Sequence, residues 1–400
     1  MVYLDHNATS PLREGVGEAM ARAQIALPGN PSSVHAAGRR ARDAIEVARA
    51  KVARFVGALR EEIVFTSGGT EGDNLAIRGL ARTAAARGRR HIVTSALEHP
   101  AVTGAVAELA DAGFTVTRLP VSERGELAVT DLQATLRDDT GLVSLAFANH
   151  ELGNVYPIAA LAAVAHARGA LFHTDAVQAA GKLDLDVATL GVDAATLSAH
   201  KLGGPKAVGA LFVRRGLDLP PLLAGGHQEH ERRPGTENVA GIVGFGVACE
   251  LASASRETEE ARLGALRLRL ETALLRIPGA RLFGVGEAGA RLAGTSLIGF
   301  SDAPGQLVAI GLDLEGICVS TGAACTSGSL EPSPVLLAMG LGARAAAEGV
   351  RISLGWTTTA ADVEALVAAV PGIVARVRAA SGDEPWPTGA AGDGRPLELS

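Results

Sequence analysis

The chain has 400 residues, 47% of them hydrophobic and 20% charged, and its formal net charge is −6 at pH 7. This composition is typical of a globular protein, and the acidic balance argues against a nucleic-acid partner. No uninterrupted apolar stretch reaches the roughly 18 residues of a membrane span, and the start, Met1–His6, lacks the features of a signal peptide. We therefore expect a cytoplasmic protein without a membrane partner.

In chain order, the first clear element is a helix with apolar residues at helical spacing from Ile45, which ends at Gly57. Strand-like and helix-like segments then alternate. Three helices are predicted in this part of the chain. One begins near Glu71, one begins near Glu98, and one covers Ile158–Arg168. The predicted strands are Ile63–Thr66, His91–Ser95, Phe114–Leu119, Leu142–Phe147, Ala170–Thr174, Val192–Leu197 and Val208–Val213. This alternation predicts an α/β fold with a mainly parallel sheet covered on both faces.

A largely helical stretch from about Glu237 to Leu275 leads into a second region. That region has predicted strands at Ser296–Phe300 and Ile352–Leu354 and helices near residues 304–312 and 360–378. The predicted domains are a large domain over residues 16–260 and a small C-terminal α+β domain over residues 261–379. Residues 1–15 are expected to pack with the small domain, and the Gly- and Pro-containing tail over residues 380–400 is expected to be disordered.

Lys201 is the most informative residue of the sequence. Only four of the 37 basic residues are lysines, so lysine is kept mainly where arginine does not serve. An arginine stays protonated, whereas a lysine amine can lose its proton and attack an aldehyde. The glycine-rich turn Ser198–Pro205 after a strand suits a lysine that carries pyridoxal phosphate as a Schiff base. The alternative is a surface lysine in a glycine loop. We expect no other lysine in the site.

Other segments offer the remaining contacts that pyridoxal phosphate needs. Asp175 ends a predicted strand and is a candidate partner of the pyridine nitrogen, or else a helix cap. Gln178 is a candidate partner of the ring hydroxyl, or part of a capping box. The glycine turn Thr66–Glu71 is a candidate phosphate site, or a plain turn. His99 is a candidate ring-stacking and proton-relay residue, or a structural histidine.

Cys325 lies in the small, polar segment Ser320–Ser329, which predicts a flexible, exposed loop. An exposed thiol indicates a functional role, whereas Cys249 and Cys318 are predicted to be buried apolar residues. Three sparse cysteines argue against disulfides, and no spacing indicates a zinc site. Arg351 begins an apolar strand and is a candidate clamp for a substrate carboxylate, or else a surface salt bridge.

Motifs of one family are spread from Tyr3 to about Val377. They are YLDHNAT from Tyr3, NPSS from Asn30, FTSGGTEGDN from Phe65, Glu98-His99, the Asp175–Gln178 segment, SAHKLGGPK from Ser198, RRPGTEN from Arg232 and CTSGSLEPS from Cys325. Together they resemble the cysteine desulfurases of the class V aminotransferase superfamily, in their NifS/IscS-like long-loop type. The resemblance implies the pyridoxal-phosphate-dependent transferase fold (fold type I), in which the large domain carries a mainly parallel seven-stranded sheet.

The resemblance also implies a role for each matching residue. The cofactor-binding residues would be Gly69, Thr70, His99, His150, Asp175, Gln178, Ser198, His200, Lys201 and Thr236. Thr236 would reach the phosphate of a neighbouring subunit, which implies a homodimer with shared sites. Arg351 and Asn30 would bind the substrate, and Cys325, Lys201 and His99 would be catalytic. No intrinsic metal is implied, although Cys325 is a possible transient iron–sulfur ligand.

One position departs from the family pattern. His150 stands where the family has a second asparagine that contacts the cofactor or substrate. An imidazole still donates a hydrogen bond, but its charge varies near neutral pH. The departure bears on rate and pH optimum, and leaves the reaction class unchanged.

The implied reaction converts L-cysteine to L-alanine and leaves a persulfide on Cys325. The sulfur then passes to an iron–sulfur scaffold or another acceptor protein, for iron–sulfur assembly, nitrogenase maturation, tRNA thiolation or DNA modification. The alternatives are a selenocysteine lyase, another class V aminotransferase, or a non-catalytic sulfur-transfer scaffold. An aminotransferase has no need of Cys325 in a mobile loop.

Overall fold

A seven-stranded sheet forms the centre of the larger part of the molecule. The computed structural model describes residues 1–284, 290–321 and 332–381. After a short N-terminal strand, β1 (Val2–Tyr3), the strands of this sheet are β2 (Ile63–Thr66), β3 (His91–Ser95), β4 (Thr115–Leu119), β5 (Thr140–Ala146), β6 (Leu171–Asp175), β7 (Ala194–Ser198) and β8 (Gly209–Val213). Their order is β2-β8-β7-β6-β5-β3-β4, and only the two pairings that involve β8 are antiparallel. The predicted fold class and sheet are confirmed.

Helices cover both faces of this sheet, and alternate strand residues therefore enter different cores. Ile92 and Leu142 belong to one buried cluster, whereas Val93 and Val143, the next residues along the same strands, belong to another. Because successive side chains of a strand point to opposite faces, both faces are buried. The helices in this part are α1 (Val16–Ala26), α2 (Ala36–Phe55), α3 (Gly69–Ala85), α4 (Pro100–Asp111), α5 (Val129–Thr135), α6 (Ile158–Ala167) and α7 (Val187–Leu190).

A second, antiparallel sheet follows the long helix α8 (Val239–Leu274). Its strands are β9 (Ala280–Leu282), β10 (Thr295–Phe300), β12 (Ser320–Thr321) and β13 (Gly349–Ser353), in the order β12-β13-β10-β9. Strand β11 (Ile317–Cys318) pairs separately. The helices here are α9 (Gly305–Leu314), α10 (Pro334–Ala338), α11 (Ala343–Ala346) and α12 (Ala360–Ser381). This part has its own apolar cluster, to which the end of α8 contributes. The domain boundaries themselves stay a prediction.

The N-terminal residues belong to the second core although they precede the large sheet. β1 pairs in parallel with β11, Leu4 is buried in the second apolar cluster, and Asp5 forms a bridge with Ser353. The chain then turns back to the large sheet, where the backbone N–H of Ser10 donates to the carbonyl of His200 at 2.9 Å. The first ten residues therefore join the two sheets.

Helix α8 is long and apolar enough, by length and composition alone, to cross a membrane, but half of its most apolar window is buried inside the molecule. Near its start, Gly244 lies against Met20 of α1 and Gly246 against Ala48 of α2, whereas its last turns share the second apolar cluster with α12. Among the described residues, this is the only helix that meets the criterion, and its packing is that of a core helix.

Of the helices in the described ranges, the sequence misses five: α1, α5 and the short helices α7, α10 and α11. In α1 only Val16 and Ala23 are buried, and in α5 only Leu132 is buried. So little burial leaves no clear apolar period from which to predict a helix. The helix predicted near Glu98 begins at Pro100, with His99 as its N-cap. Proline suits the first position of a helix because the backbone N–H there has no partner within the helix, and proline has no N–H.

Candidate active site

Most of the predicted cofactor-binding residues lie where strands of the large sheet end. Because parallel strands have their carboxyl ends at the same edge, the segments that follow β2, β3, β5, β6 and β7 meet there. These segments carry Gly69 and Thr70, then His99, His150, Gln178 and Lys201, in that order. Asp175 and Ser198 are the last residues of β6 and β7. The edge therefore brings together residues that lie more than 100 positions apart in the chain.

The glycine turn after β2 forms an anion cradle. Gly68 precedes α3 with φ +153°, and no side chain in the described ranges caps the backbone N–H groups that open this helix. A side chain at Gly69 would bring its Cβ to 2.9 Å from Val177 and 3.8 Å from Ser198. The turn is thus closely packed against the ends of β6 and β7, with the positive end of α3 facing the edge. Free N–H groups at a helix N-terminus fit a phosphate.

Asp175 is buried, at 8% exposure, at the end of β6. Its Oδ1 accepts the Val177 N–H at 2.9 Å, and turns, not a helix, follow it, so the helix-cap interpretation is wrong. Burial raises the pKa of Asp175, while the Val177 N–H and the charges of His99 and Lys201 lower it. Within the described residues, no Lys, Arg or His nitrogen lies within 4.0 Å of this carboxylate. A buried carboxylate without a cationic partner fits a protonated pyridine nitrogen.

Lys201 ends a short 3-10 turn that follows β7. Its Nζ donates to the backbone carbonyls of Asn7 at 2.6 Å and Ala8 at 2.8 Å. Burial, and then the charge of Arg351, lower the pKa of Lys201 to about 8, although Asp175 opposes them. The amine is therefore partly neutral near neutral pH, which a nucleophile or general base requires.

Lys201 is not the only lysine here, and the expectation that it would be is wrong. Lys182 Nζ donates to Asn7 Oδ1 at 2.8 Å and to Gln178 Oε1 at 2.9 Å. Gln178 Nε2 in turn donates to the Asn7 carbonyl oxygen at 2.9 Å, the same oxygen that Lys201 contacts. Burial, followed by the charges of Lys201 and Arg351, lowers the pKa of Lys182 to about 7. The capping-box alternative for Gln178 is thereby excluded, because its side chain is bonded elsewhere.

Two histidine rings lie together at the mouth of the site. The His99 and His150 ring centroids are 5.6 Å apart, edge to face. His99 Nδ1 accepts the Ala101 N–H at 3.1 Å, which leaves the proton of the neutral ring on Nε2. Burial lowers the pKa of both rings, and Lys201 lowers both further. The lowered pKa favours the neutral form of the His150 ring at pH 7.

Arg351 is buried in the middle of β13 and faces the same region. Its Nη2 contacts Asp5 Oδ1 at 3.0 Å, and its Nη1 donates to the His150 carbonyl at 3.2 Å. The remaining guanidinium nitrogen, Nε, is buried and has no hydrogen-bond partner among the described residues. The surface-salt-bridge alternative is wrong, since Arg351 is 4% exposed.

The other predicted residues are placed as follows. His200 Nδ1 contacts Thr9 Oγ1 at 3.0 Å, and burial lowers the pKa of His200 to about 4. Asn30 and Thr236 are exposed, outside this network of contacts. Cys325 lies outside the described residues. Cys249 is buried as expected, whereas Cys318 is partly exposed at the edge strand β11, contrary to expectation. No group of three or more metal-ligating side chains occurs in the described ranges.

Sequence reasoning missed Asn7 and Lys182 as members of the site. Asn7 is part of the YLDHNAT motif, but its 194-residue separation from Lys201 gives no local signal of their contact. Lys182 had one available signal, since it is one of only four lysines in a chain that otherwise uses arginine. Two buried acids, Asp73 and Glu98, also lie near Asp175, and burial raises the pKa of each.

The matches to known proteins agree with this geometry. A family model described as aminotransferase class-V matches residues 2–366. The chain belongs to the class V aminotransferase family. It is 46% identical to a cysteine desulfurase of Nostoc sp. over 382 residues, which cover 95% of this chain and 94% of that protein.

Solved structures of this family are similar to the whole fold. A NifS-like protein superposes with a TM-score of 0.88 at 35% identity, covering 94% of this chain and 99% of that one. SspA, solved in complex with cysteine, superposes with a TM-score of 0.77 at 34% identity, covering 90% of this chain and 100% of that one. The class V similarity therefore extends over both sheets.

Proposed function

We propose that this class V family member is a cysteine desulfurase, which converts L-cysteine to L-alanine and a persulfide on Cys325. Three features that meet at one sheet edge carry the proposal. They are the Lys201 amine with its lowered pKa, the buried Asp175 carboxylate, which has no cationic partner among the described residues, and the uncapped N-terminus of α3. The cysteine desulfurase of Nostoc sp. and the SspA complex with cysteine support the substrate.

The residues present fit pyridoxal phosphate. The N–H groups at Gly69 and Thr70, with Ser198 and His200, would hold the phosphate, and Asp175 would hold the ring nitrogen. His99 would cover the ring face, Gln178 would contact the ring hydroxyl and Lys201 would bind the cofactor covalently. When bound, the cofactor supplies an electron sink for breaking the substrate Cα–H bond.

The chain's own groups account for binding and proton movement. Arg351 would hold the substrate carboxylate through charge-assisted hydrogen bonds. The partly neutral Lys201 amine would take the Cα proton, and the Nε2–H of His99 would donate one. Neutral His150 would donate a hydrogen bond without adding a second positive charge beside Arg351.

The thiolate of Cys325 would attack the substrate sulfur. The S–S bond forms as the Cβ–S bond breaks, and Cβ gains a hydrogen to become the methyl group of alanine. Carbon is reduced and the two sulfurs are oxidised to the persulfide level. No external oxidant or reductant is needed, because cysteine and a thiol give alanine and a persulfide with all atoms balanced.

We also propose a homodimer, in which the exposed Thr236 reaches the phosphate of the neighbouring subunit. The sulfur acceptor would be an iron–sulfur scaffold or another acceptor protein. A reducing compartment such as the cytoplasm suits a reaction that ends on a cysteine thiol.

The Cys325→Ser variant tests the proposed reaction. Serine keeps the size and polarity of the side chain but does not attack sulfur or hold a persulfide, so alanine release from L-cysteine should fall to background. Pyridoxal phosphate should still bind. Cys318→Ser is the matched control and should keep wild-type turnover, with mass spectrometry locating the added sulfur on Cys325. Retained desulfuration by Cys325→Ser, or sulfur on Cys318, would contradict the role of Cys325 as nucleophile and leave the cofactor assignment standing.

A further inference from the structure

Lys182 lies in the turns that follow β6, four residues after Gln178, and its amine contacts two side-chain amides. Nζ donates to Asn7 Oδ1 at 2.8 Å and to Gln178 Oε1 at 2.9 Å. No carboxylate oxygen of the described ranges lies within 4.0 Å of Nζ. The two amide oxygens are therefore the partners that hold this amine.

The orientation of each amide is fixed by independent contacts. Gln178 Nε2 lies 2.9 Å from the Asn7 carbonyl oxygen, which only accepts. Asn7 Nδ2 donates to Thr295 Oγ1 at 3.0 Å and to the His150 carbonyl at 3.2 Å. If the Gln178 amide turned over, its oxygen would face a carbonyl and its NH2 group would face the Lys182 ammonium, and both hydrogen bonds would be lost. Lys182 therefore stabilises one of the two amide orientations.

This orientation decides what Gln178 presents to the site. Its NH2 group has two hydrogens, of which one is used by Asn7 and the other has no partner in the described part of the chain. A hydrogen-bond donor beside an oxygen favours its ionised form. We propose that Lys182 is a positioning residue that keeps the NH2 group of Gln178 turned toward the ring oxygen of bound pyridoxal phosphate. The inference rests on the proposed function, because it concerns the cofactor assigned there.

Substituting Lys182 with methionine tests this inference through cofactor binding. Lys182→Met keeps most of the apolar stem but has no donor, so the Gln178 amide loses one of the two hydrogen bonds that hold its orientation. We expect the dissociation constant for pyridoxal phosphate to rise roughly tenfold, as for the loss of one hydrogen bond. The long-wavelength absorption band of the bound cofactor, which reports the ionised ring oxygen, should fall relative to the short-wavelength band.

Two further variants separate positioning from general damage. Lys182→Gln keeps an NH2 donor and should recover part of the long-wavelength band. Lys51→Met is the matched control: Lys51 lies on α2 and pairs with Glu250 at 2.7 Å, so this variant should leave both the affinity and the band ratio unchanged.

A double-mutant cycle with Gln178→Leu decides whether Lys182 acts through Gln178. In the Gln178→Leu background, Lys182→Met should cause no further change in the band ratio. The inference would be overturned if Lys182→Met kept the wild-type affinity and band ratio. It would also be overturned if Lys182→Met changed the band ratio equally in the wild-type and Gln178→Leu proteins. The proposed function has its own test, since it fails if the wild-type protein releases no alanine from cysteine, a measurement separate from these binding spectra.

Discussion

Lys201 is held by the two backbone carbonyls of Asn7 and Ala8 rather than by an acid. An acidic partner in direct contact would favour the charged ammonium and keep the amine protonated. Burial instead lowers the pKa of Lys201 to about 8, with Arg351 adding to the effect. Backbone carbonyls thus orient the amine and leave its proton affinity low enough for covalent chemistry.

The Lys201→Ala variant should lose cysteine turnover because it lacks the amine that binds the cofactor and takes the Cα proton. Since Lys182 also lies in the site, activity alone does not identify the attached lysine. Borohydride reduction and peptide mapping should therefore place the cofactor on Lys201 in the wild-type protein. The control, Lys206→Ala, removes an exposed lysine and should keep turnover. A reduced cofactor on Lys182 would show that Lys201 is misassigned.

Glu98 is buried beneath the site, where its Oε1 accepts a hydrogen bond from Ser95 Oγ at 2.5 Å. Burial raises the pKa of Glu98 from 4.5 to about 8, although the hydrogen bonds oppose it. The folded protein therefore keeps a proton that the unfolded chain releases above about pH 4.5. Because the folded state binds more protons, stability falls as pH rises through this window.

The Glu98→Gln variant should remove this dependence, since the amide does not titrate. Relative to wild type, its free energy of unfolding should rise between about pH 5 and 8, by at most ~1.4 kcal/mol per pH unit. Urea unfolding at several pH values measures the difference, with the exposed Glu123→Gln as a control that should follow the wild-type curve. Parallel curves for Glu98→Gln and wild type would show that Glu98 ionises normally.

At the scale of elements, the glycine turn depends on close backbone packing between strands. Gly209 begins β8, where it pairs with Thr66 on one side and Ser198 on the other. A Cβ at Gly209 would lie 2.6 Å from the Leu197 carbonyl oxygen and 2.7 Å from Gly68 Cα. These are backbone atoms, so relief requires the strands to move. The absence of a side chain at Gly209 thus sets the distance between β7 and the turn that opens α3.

The Gly209→Ala variant should be destabilised by roughly 1–3 kcal/mol because its methyl group overpacks two backbones. Its affinity for pyridoxal phosphate should fall as well, since the displaced turn carries the phosphate cradle. Gly104→Ala is the control: this glycine lies within α4 and a Cβ there meets no atom within 4 Å. Alanine should be neutral there or stabilise the helix by up to about 1 kcal/mol. Wild-type stability for Gly209→Ala by urea unfolding would contradict this account.

At the scale of the whole molecule, the first ten residues connect both cores to the active site. Leu4 is buried in the second core, Asp5 contacts Arg351, and Asn7 contacts Lys201, Lys182 and Gln178. Asn7 also donates from its backbone N–H to Ser353 Oγ at 2.9 Å. The position of the second sheet is therefore coupled to the geometry around Lys201.

A site shared between two subunits should appear in the mass of the protein. We expect sedimentation to give about twice the chain mass of 40.6 kDa, because Thr236 of each subunit would complete the phosphate site of the other. Thr236→Ala should weaken pyridoxal phosphate binding. The sedimentation mass should stay that of a dimer, since each subunit loses only one exposed hydroxyl. A monomeric mass for the wild-type protein would rule out the shared site.

The places of three segments relative to strands and turns agree with the sequence prediction. Asp175 ends β6, the turn at Gly68 joins β2 to α3, and Lys201 follows β7, because strand ends and glycine turns leave a local pattern of apolar and small residues. Helices without a buried stripe, such as α1, left no such pattern. Cys325, predicted as the nucleophile, lies outside the described residues and stays a prediction.

By itself, the sequence determined the alternation of strands and helices, the mainly parallel sheet and the motif residues at its edge, because these follow from short-range periodicity and turn chemistry. Only the tertiary structure decided that Asn7 joins Lys201, Lys182 and Gln178, and that Arg351 is buried against Asp5. Such contacts join residues up to 346 positions apart. The geometry of these contacts depends on how the N-terminal segment joins the large sheet to the second sheet. No local sequence pattern predicts that packing.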